Sequence, residues 1–492
     1  MSIINVTNLT FGYDGNYDNV FENVSFQLDT DWKLGFTGRN GRGKTTFLNL
    51  LLGKYQYSGS IHSSVEFEYF PYEVEDMHQT AIEIVNKISP LAEDWEIIRE
   101  LSLLDVEPEV LYRPFETLSN GERTKIMLAA LFLDSNKFLL IDEPTNHLDS
   151  DARQKVGEYL QKKKGFILVS HDRTLLDSCI DHILTINRTN IEIQQGNFSS
   201  WYKNKQMQDN YELAENAKLK KEISRLSESA KRSSSWSDEK EKSKFGKVSS
   251  GLKQDKGYVG HKAAKMMKRA KSQENRMLNA ADKKSELLHN IEITDSLKLS
   301  QLDYPKRTLI YASNLSLSYG ERTVCFVNDL QVQKGDRIAV IGKNGCGKST
   351  LLKLLCGENI SYSGILEIGS NLKISYVSQD TSFLRGSLSD YANACDIDES
   401  LFKSILRKMG FERVQFEKEM QDFSGGQKKK VLLARSLSEK AHIYIWDEPL
   451  NFIDVISRIQ IEELLLEFKP TMIFVEHDIA FQRNIATGEL RI

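Results

Sequence analysis

The chain spells out one set of motifs twice, in the same order. GRNGRGKTT at Gly38–Thr46 returns as GKNGCGKST at Gly342–Thr350, and LSNGERTK at Leu118–Lys125 returns as FSGGQKKK at Phe423–Lys430. LLIDEPTNHLD at Leu139–Asp149 returns as YIWDEPLNFID at Tyr444–Asp454, and VSHD at Val169–Asp172 as VEHD at Val475–Asp478. The offsets hardly drift: Lys44 to Lys348 is 304 residues, Asp142 to Asp447 is 305, and His171 to His477 is 306. Chance matches do not keep order and spacing together, so a unit of about 200 residues is duplicated. A single hydrophobic core is excluded, as the length of 492 residues already argues.

Between the copies the composition changes. The formal charge of the chain is −4, which taken alone argues against a nucleic-acid binder. Yet Lys203–Asn290 holds 22 Lys+Arg against 12 Asp+Glu, a net of +10, and the rest of the chain is left at −14. Residues 201–231 are rich in Lys, Glu, Leu and Ala, with apolar Tyr211, Leu213, Leu219, Ile223 and Leu226 near heptad spacing, which predicts a helix. A second helix is expected over about 262–299, carrying Met266, Met267, Ala270, Met277 and Leu278. Residues 233–260 between them are Ser-, Gly- and Lys-rich and read as a loop holding Trp236, Lys244, Phe245 and Tyr258. The expected layout is a first domain at 1–202, a basic helical hairpin at 203–300 with its tip near 233–260, and a second domain at 301–492.

The five cysteines form no CxxC pair, so neither a disulfide scaffold nor a zinc ribbon is expected. Apolar runs such as Phe138–Ile141 are strand-sized, far short of the roughly 20 residues a membrane span needs, and no secretory leader is visible. A cytoplasmic location and no membrane contact are expected.

Each GxxxxGK(S/T) follows an apolar run and precedes a helix-forming one, the context of a phosphate cradle. Glycines at Gly38, Gly41, Gly43, Gly342, Gly345 and Gly347 let backbone N–H groups turn onto phosphates, beside Asn40, Thr46, Asn344 and Thr350. Lys44 and Lys348 would contact β- and γ-phosphates, and Thr45 and Ser349 would ligate Mg²⁺. Asp142 and Asp447 end buried strands and would hold Mg²⁺ through water, with Glu143 and Glu448 as general bases toward the attacking water. His171 and His477 are placed to sense the γ-phosphate.

The stretches LSNGE and FSGGQ resemble the signature loop of ATP-binding-cassette ATPases, and with the phosphate-loop motifs the resemblance covers both repeats. It implies an α/β fold of two tandem cassettes, each a RecA-like core with a helical subdomain and an antiparallel β subdomain, pairing head to tail within one monomer. Ser119 and Gly121 would then cap ATP held by Lys348, and Ser424, Gly425 and Gly426 would cap ATP held by Lys44. By the same resemblance Tyr13 and Tyr319 would stack on adenine, Asp149 and Asp454 would connect the sites, and Gln379 would link γ-phosphate to Mg²⁺. The first copy has Tyr72 at the glutamine position, and a phenol cannot offer an amide carbonyl to the metal, which sets the Lys44 site apart. Asn120 replaces a signature glycine, where Asn tolerates left-handed backbone, and with both glutamates present two hydrolytic sites are expected.

Two fused cassettes with a basic hairpin between them resemble the ABC-F family, whose EPTNHLD form stands at Glu143–Asp149. RNGRGKTT, LYRPFETLSNGERTK, GFILVSHDR, MKRAKSQ and YIWDEPLNFIDV resemble the Lsa-type antibiotic-resistance members. That resemblance implies binding of the ATP-closed form at the exit site of the bacterial ribosome, against large-subunit rRNA and P-site tRNA. The hairpin tip would reach toward the peptidyl-transferase centre and displace lincosamides, pleuromutilins and streptogramin A. A housekeeping translation factor of the same fold, or the ATPase subunit of an exporter, are the alternatives.

Overall fold

A computed structural model describes residues 2–13, 19–134, 136–146, 148–186, 191–212 and 214–218, single positions between 221 and 276, and 297–492 apart from 298 and 321. These residues form two compact units, one of Met1–Trp201 with Thr294–Ile492 and one of Tyr202–Ile293. The first unit holds both repeats, and the α/β expectation of tandem cassettes is met in each.

Each repeat is built around a central parallel sheet with the same strand order. In the first it runs Glu66–Phe70, Lys137–Asp142, Phe166–Val169, Lys33–Thr37, His182–Ile186, closed by the antiparallel Ile191–Gln195. In the second it runs Ile374–Val377, Ile443–Asp447, Met472–Val475, Arg337–Ile341, Gly488–Arg491. The runs FLLI, FILV, IYIW and MIFV are wholly buried, as expected of parallel strands covered on both faces. Alternation decides which cover each side chain meets: Ile443 and Ile445 join the core under the antiparallel sheet, while Tyr444 and Trp446 join the core under the helices.

The antiparallel cover is a three-stranded sheet in each copy, Phe21–Asp29, Ile3–Phe11 and Ser58–His62 in the first and Arg322–Gln333, Thr308–Tyr319 and Ser361–Ile368 in the second. The helical cover ends in the helices that follow the signature loops, Asn120–Leu131 and Gly425–Ser438. Their sequences explain their starts. Ser119 and Ser424 accept from the backbone N–H groups of Glu122 and Gln427, whose side chains accept from the serine N–H groups in return, a capping box at each signature.

Asp142 is in register with Val169 and Asp447 with Val475, so the strand that ends in a carboxylate and the strand that leads to His171 or His477 finish together. The phosphate loops leave the same carboxyl ends of the sheet, where α/β folds bind ligands.

In the second unit, residues 202–212 and 214–218 are helical, and so are His261, Lys265, Lys268, Lys271, Ser272 and Arg276. The expected tip at 233–260, with Trp236, Lys244, Phe245 and Tyr258, lies outside the described residues. Leu297 and Leu299, placed by the sequence reading in the linker, are buried in the helical-side core of the second repeat. Among the described residues no helix is long and apolar enough to cross a membrane, and all five cysteines are free.

Candidate nucleotide sites

Each phosphate loop ends on a glycine that caps the following helix in the left-handed region, Gly43 at φ 92° before Lys44–Leu51 and Gly347 at φ 95° before Lys348–Leu355. A Cβ at Gly43 would lie 2.5 Å from Val20, and one at Gly347 2.7 Å from Cys325, so both space and backbone require glycine. The buried lysines close the loops on themselves. Lys44 Nζ donates to the carbonyls of Gly38 at 2.7 Å and Arg39 at 3.3 Å, and Lys348 Nζ to those of Gly342 at 2.7 Å and Lys343 at 2.9 Å.

The glutamates expected to serve as general bases share a left-handed backbone. Glu143 sits at φ 52° and Glu448 at φ 47°, each just before a proline that disfavours helical φ/ψ. Their N–H groups still donate to Val169 and Val475, which carries the strand one residue past the aspartate before the left-handed turn. The turn brings each carboxylate to its histidine: His171 Nε2 lies 3.4 Å from Glu143 Oε1, and His477 Nε2 3.4 Å from Glu448 Oε1.

Electrostatically the two pairs differ. Burial, with Asp142 alongside, pushes the Glu143 carboxyl up to about 8. Burial also raises Glu448, but the hydrogen bond and charge of His477, with Lys429 and Lys348, outweigh it and bring the group below its ordinary value. Burial, with Lys44 and Arg458 nearby, holds His171 well below the usual imidazole range, so it is neutral.

The oxygen-rich donor sets fit a hard divalent cation. Thr45 Oγ1 donates to Asp142 Oδ2 at 3.0 Å, which places hydroxyl and carboxylate together. Both Asp447 carboxylate oxygens are buried without a hydrogen-bonding partner, although the nearby Ser349 hydroxyl partly offsets the rise that burial causes. Gln379 Nε2 donates to Glu448 Oε2 at 2.9 Å. Among the described residues no group of three or more His, Cys, Asp or Glu is placed to hold a metal ion.

A cavity of about 760 Å³ joins the repeats. Ser119, Asn120, Gly121 and Asp149 of the first line one side, and Asn344, Gly345, Gly347, Lys348, Ser349, Thr350, Gln379, Glu448 and His477 of the second line the other. The reverse pairing is drawn tighter. Asn40 Nδ2 donates to Phe452 O at 2.7 Å, and a Cβ on Gly426 would lie 2.4 Å from that carbonyl and 2.9 Å from Asn40 Nδ2. A Cβ on Gly425 would meet the Phe452 ring at 3.8 Å. Each signature therefore faces the other repeat's phosphate loop.

Tyr13 is 40% exposed and its hydroxyl is 2.7 Å from Thr46 Oγ1, with its ring edge-on to Phe11 and Tyr55. Tyr319 ends a strand paired with Arg322. Asp149 and Asp454 each cap the following helix, at Ala152 and Ser457. Asp454 also accepts from Lys430 Nζ at 2.6 Å in full burial.

Several residues escaped the sequence reading. Tyr69, three residues before Tyr72, donates its hydroxyl to Asp142 Oδ2 at 3.0 Å. Arg173 of the first repeat pairs with buried Glu462 of the second. Lys429 and Glu476 are buried behind the second site. Aligning the repeats exposes the signal: Lys429 stands against Thr124, Glu476 against Ser170, and Glu462 against Gly157.

Fold and sites define a tandem ATP-binding ATPase in which the phosphate loop of each half faces the signature of the other. The ABC transporter family model matches residues 21–146 and 327–451, just over half of the chain, and the protein belongs to this family of ATP-binding domains. ATP-binding protein Uup of Buchnera aphidicola is 27% identical over 516 residues, covering 99% of this chain and 80% of the relative. Ribosome protection protein VmlR of Bacillus subtilis is 27% identical over 501 residues, covering 100% and 86%. The solved complex of an archaeal ribosomal stalk protein with the archaeal ribosome recycling factor aABCE1 shares the fold at TM-score 0.63 and 18% identity, over 98% of this chain and 87% of that one. The protein binds ATP and hydrolyses it.

Proposed function

We propose that this ATPase is an ABC-F factor of the antibiotic-resistance, Lsa-like kind, which protects the bacterial ribosome. The observation that carries the reading is charge segregation: +10 in Lys203–Asn290 on a chain whose remainder is −14. A localised cation of that size neutralises phosphates, and the aromatics Trp236, Phe245 and Tyr258 stack on unpaired bases. Similarity to VmlR along the whole chain supports the same target. The domains proposed are cassettes at 1–202 and 301–492 and a linker at 203–300 with its tip near 233–260.

In this reading each ATP is clamped between one phosphate loop and the opposite signature, so ATP joins the halves and hydrolysis loosens them. Lys44 and Lys348 hold β- and γ-phosphate oxygens in exchange for their own loop carbonyls. Ser119, with the helix N-terminus behind it, caps the nucleotide at Lys348, and Ser424 caps the one at Lys44. Glu448 takes the proton of the attacking water while His477 fixes its carboxylate, and Glu143 with His171 does so at the other site. Thr45, with Asp142 through water, and Ser349 with Gln379, with Asp447 through water, would hold Mg²⁺, which would supply charge neutralisation at the phosphates. The closed form binds the exit site, and the tip displaces lincosamides, pleuromutilins and streptogramin A from the peptidyl-transferase centre.

The test is expression in a drug-sensitive bacterium, where inhibitory concentrations of the three drug classes should rise. Unchanged values for all three would sink the resistance reading. The Glu143→Gln, Glu448→Gln double variant should co-sediment with ribosomes in ATP; its recovery only in the membrane fraction would instead mark an exporter subunit.

A further inference from the structure

The helix Gly425–Ser438 serves two places at once. At its start, Gly426 comes so close to Asn40 of the first repeat's phosphate loop that a Cβ there would lie 2.9 Å from Asn40 Nδ2, which itself donates to Phe452 O beside the signature. Just beyond, Lys429 reaches back into its own repeat. It is 2% exposed, and its Nζ donates to Ser378 O at 2.9 Å and to Asp447 O at 3.4 Å. Ser378 immediately precedes Gln379, and Asp447 immediately precedes Glu448. One ammonium therefore holds the two backbone segments whose next side chains are bonded to each other, Gln379 to Glu448.

Among the described residues the first repeat shows no such strut. Thr124 stands in the aligned position, and its side chain is too short to span to the strand ends. A buried ammonium is costly unless compensated, and Lys429 faces the charges of Asp447, Glu448, Glu476 and Asp380. Glu476 is itself a difference between the repeats, replacing Ser170. Its Oε1 accepts from His477 N at 2.8 Å and its Oε2 from Leu450 N at 3.1 Å, so it grips the loop after Glu448 from the far side. The second repeat thus carries an added cation and an added buried carboxylate on either side of one hydrolytic loop.

We propose that Lys429 is a positioning residue that ties the cap over the nucleotide at Lys44 to the hydrolytic groups beside the nucleotide at Lys348, with no matching tie in the other direction. Communication between the sites then runs mainly through the second repeat's signature helix.

The experiment uses the full-length chain and steady-state ATP turnover. Lys429→Met keeps the buried stem and removes the donor, and Lys429→Thr installs the first repeat's residue. Either should lower kcat by roughly tenfold, the scale of one charge-assisted hydrogen bond, with Lys429→Arg recovering part of the loss. Turnover of Lys429→Met within twofold of the unaltered chain overturns the proposal, whatever Lys429→Thr does. The two sites are then read apart. In the Glu143→Gln background Lys429→Met should lower kcat, and in the Glu448→Gln background it should raise KM for ATP by about threefold. An effect confined to the Glu143→Gln background would reduce Lys429 to a one-site residue and overturn the tie. These two arms rest on assigning one glutamate to each site. Failure of that assignment would show as unchanged turnover in both Gln backgrounds, a result separate from the effect of Lys429→Met on the unaltered chain.

Discussion

The Lys44 and Lys348 sites use the same fold, the same loop and the same Glu–His pair, and differ in what stands behind them. Behind Glu448 are Gln379 at 2.9 Å, Lys429 and Glu476. The first repeat has Thr124 and Ser170 at the positions aligned with Lys429 and Glu476, with Tyr72 in the glutamine's place and Tyr69 bonded to Asp142. Duplication preserved the loops, the strand-end carboxylates and the Glu–His pairs, while the surroundings that set charge and position diverged. The Lys348 site is the better prepared for turnover, since its base is held ionised and its glutamine is already engaged, whereas burial favours a protonated Glu143.

That asymmetry is most exposed to substitution of the bases. Glu448→Gln should lower ATP turnover by about tenfold, because a lost general base costs its own site roughly 10²–10⁴-fold and leaves only the slower Lys44 site, while Glu143→Gln should cost well under about twofold. Equal losses from the two single variants would show that the neighbours of each glutamate do not matter to rate, and the comparison would fail.

Stability divides the repeats in the same direction. Asp454 is buried against Lys430, whose charge and hydrogen bond outweigh the rise that burial causes and hold the carboxyl far below its usual range. Asp149, half-buried, has its cap bond to Ala152. Asp454→Ala strands a buried ammonium and should cost about 3–5 kcal/mol, against about 1 kcal/mol for the lost cap in Asp149→Ala. Chemical denaturation of both variants without nucleotide measures the difference, and closely matched losses would contradict it.

What is legible in the sequence follows from what each residue does locally. The loop glycines, the strand-ending carboxylates and the signature serines are dictated by turn geometry, strand register and helix capping, all of which leave short-range patterns. The facing of each signature across to the other repeat's loop was reached only through family resemblance, because Asn40 and Phe452 meet across 412 residues and no spacing predicts that. Tyr69 was overlooked because Tyr72 occupied the aligned position of interest. Lys429 sat within a run of three lysines that reads as a solvated helix face, and only tertiary packing buries it. Arg173 and Glu462 look like ordinary surface charges until the two halves are brought together.

A pH series probes the same contrast more gently. The folded-state pKa of Glu143 is raised above its unfolded value, so its contribution to stability is fully present below about 4.5 and is lost as pH rises toward about 8. The nucleotide-free protein should therefore lose stability over that window at up to about 1.4 kcal/mol per pH unit from this group. Glu143→Gln should flatten the slope, and Glu448→Gln should not, because the Glu448 pKa is shifted downward. A slope that is unchanged in Glu143→Gln would remove Glu143 as its source.

The smallest effect concerns two aligned tyrosines. Tyr69 and Tyr376 occupy the same strand position beside Asp142 and Asp447, yet the Tyr69 hydroxyl donates to Asp142 Oδ2 while the Tyr376 hydroxyl is buried with no partner. Removing a satisfied hydroxyl loses its bond and leaves an acceptor short, at about 1 kcal/mol; removing an unsatisfied one relieves desolvation at little cost. Tyr69→Phe should therefore destabilise the nucleotide-free protein slightly, and Tyr376→Phe should be neutral or stabilising. Thermal unfolding of the pair, read for sign rather than size, tests this. Opposite signs would mean that the first repeat spends its strand-end tyrosine on orienting Asp142, while the second leaves Asp447 free of that bond and open to a cation. Equal destabilisation by both would place a donor–acceptor contact at Tyr376 as well, and this difference between the sites would disappear.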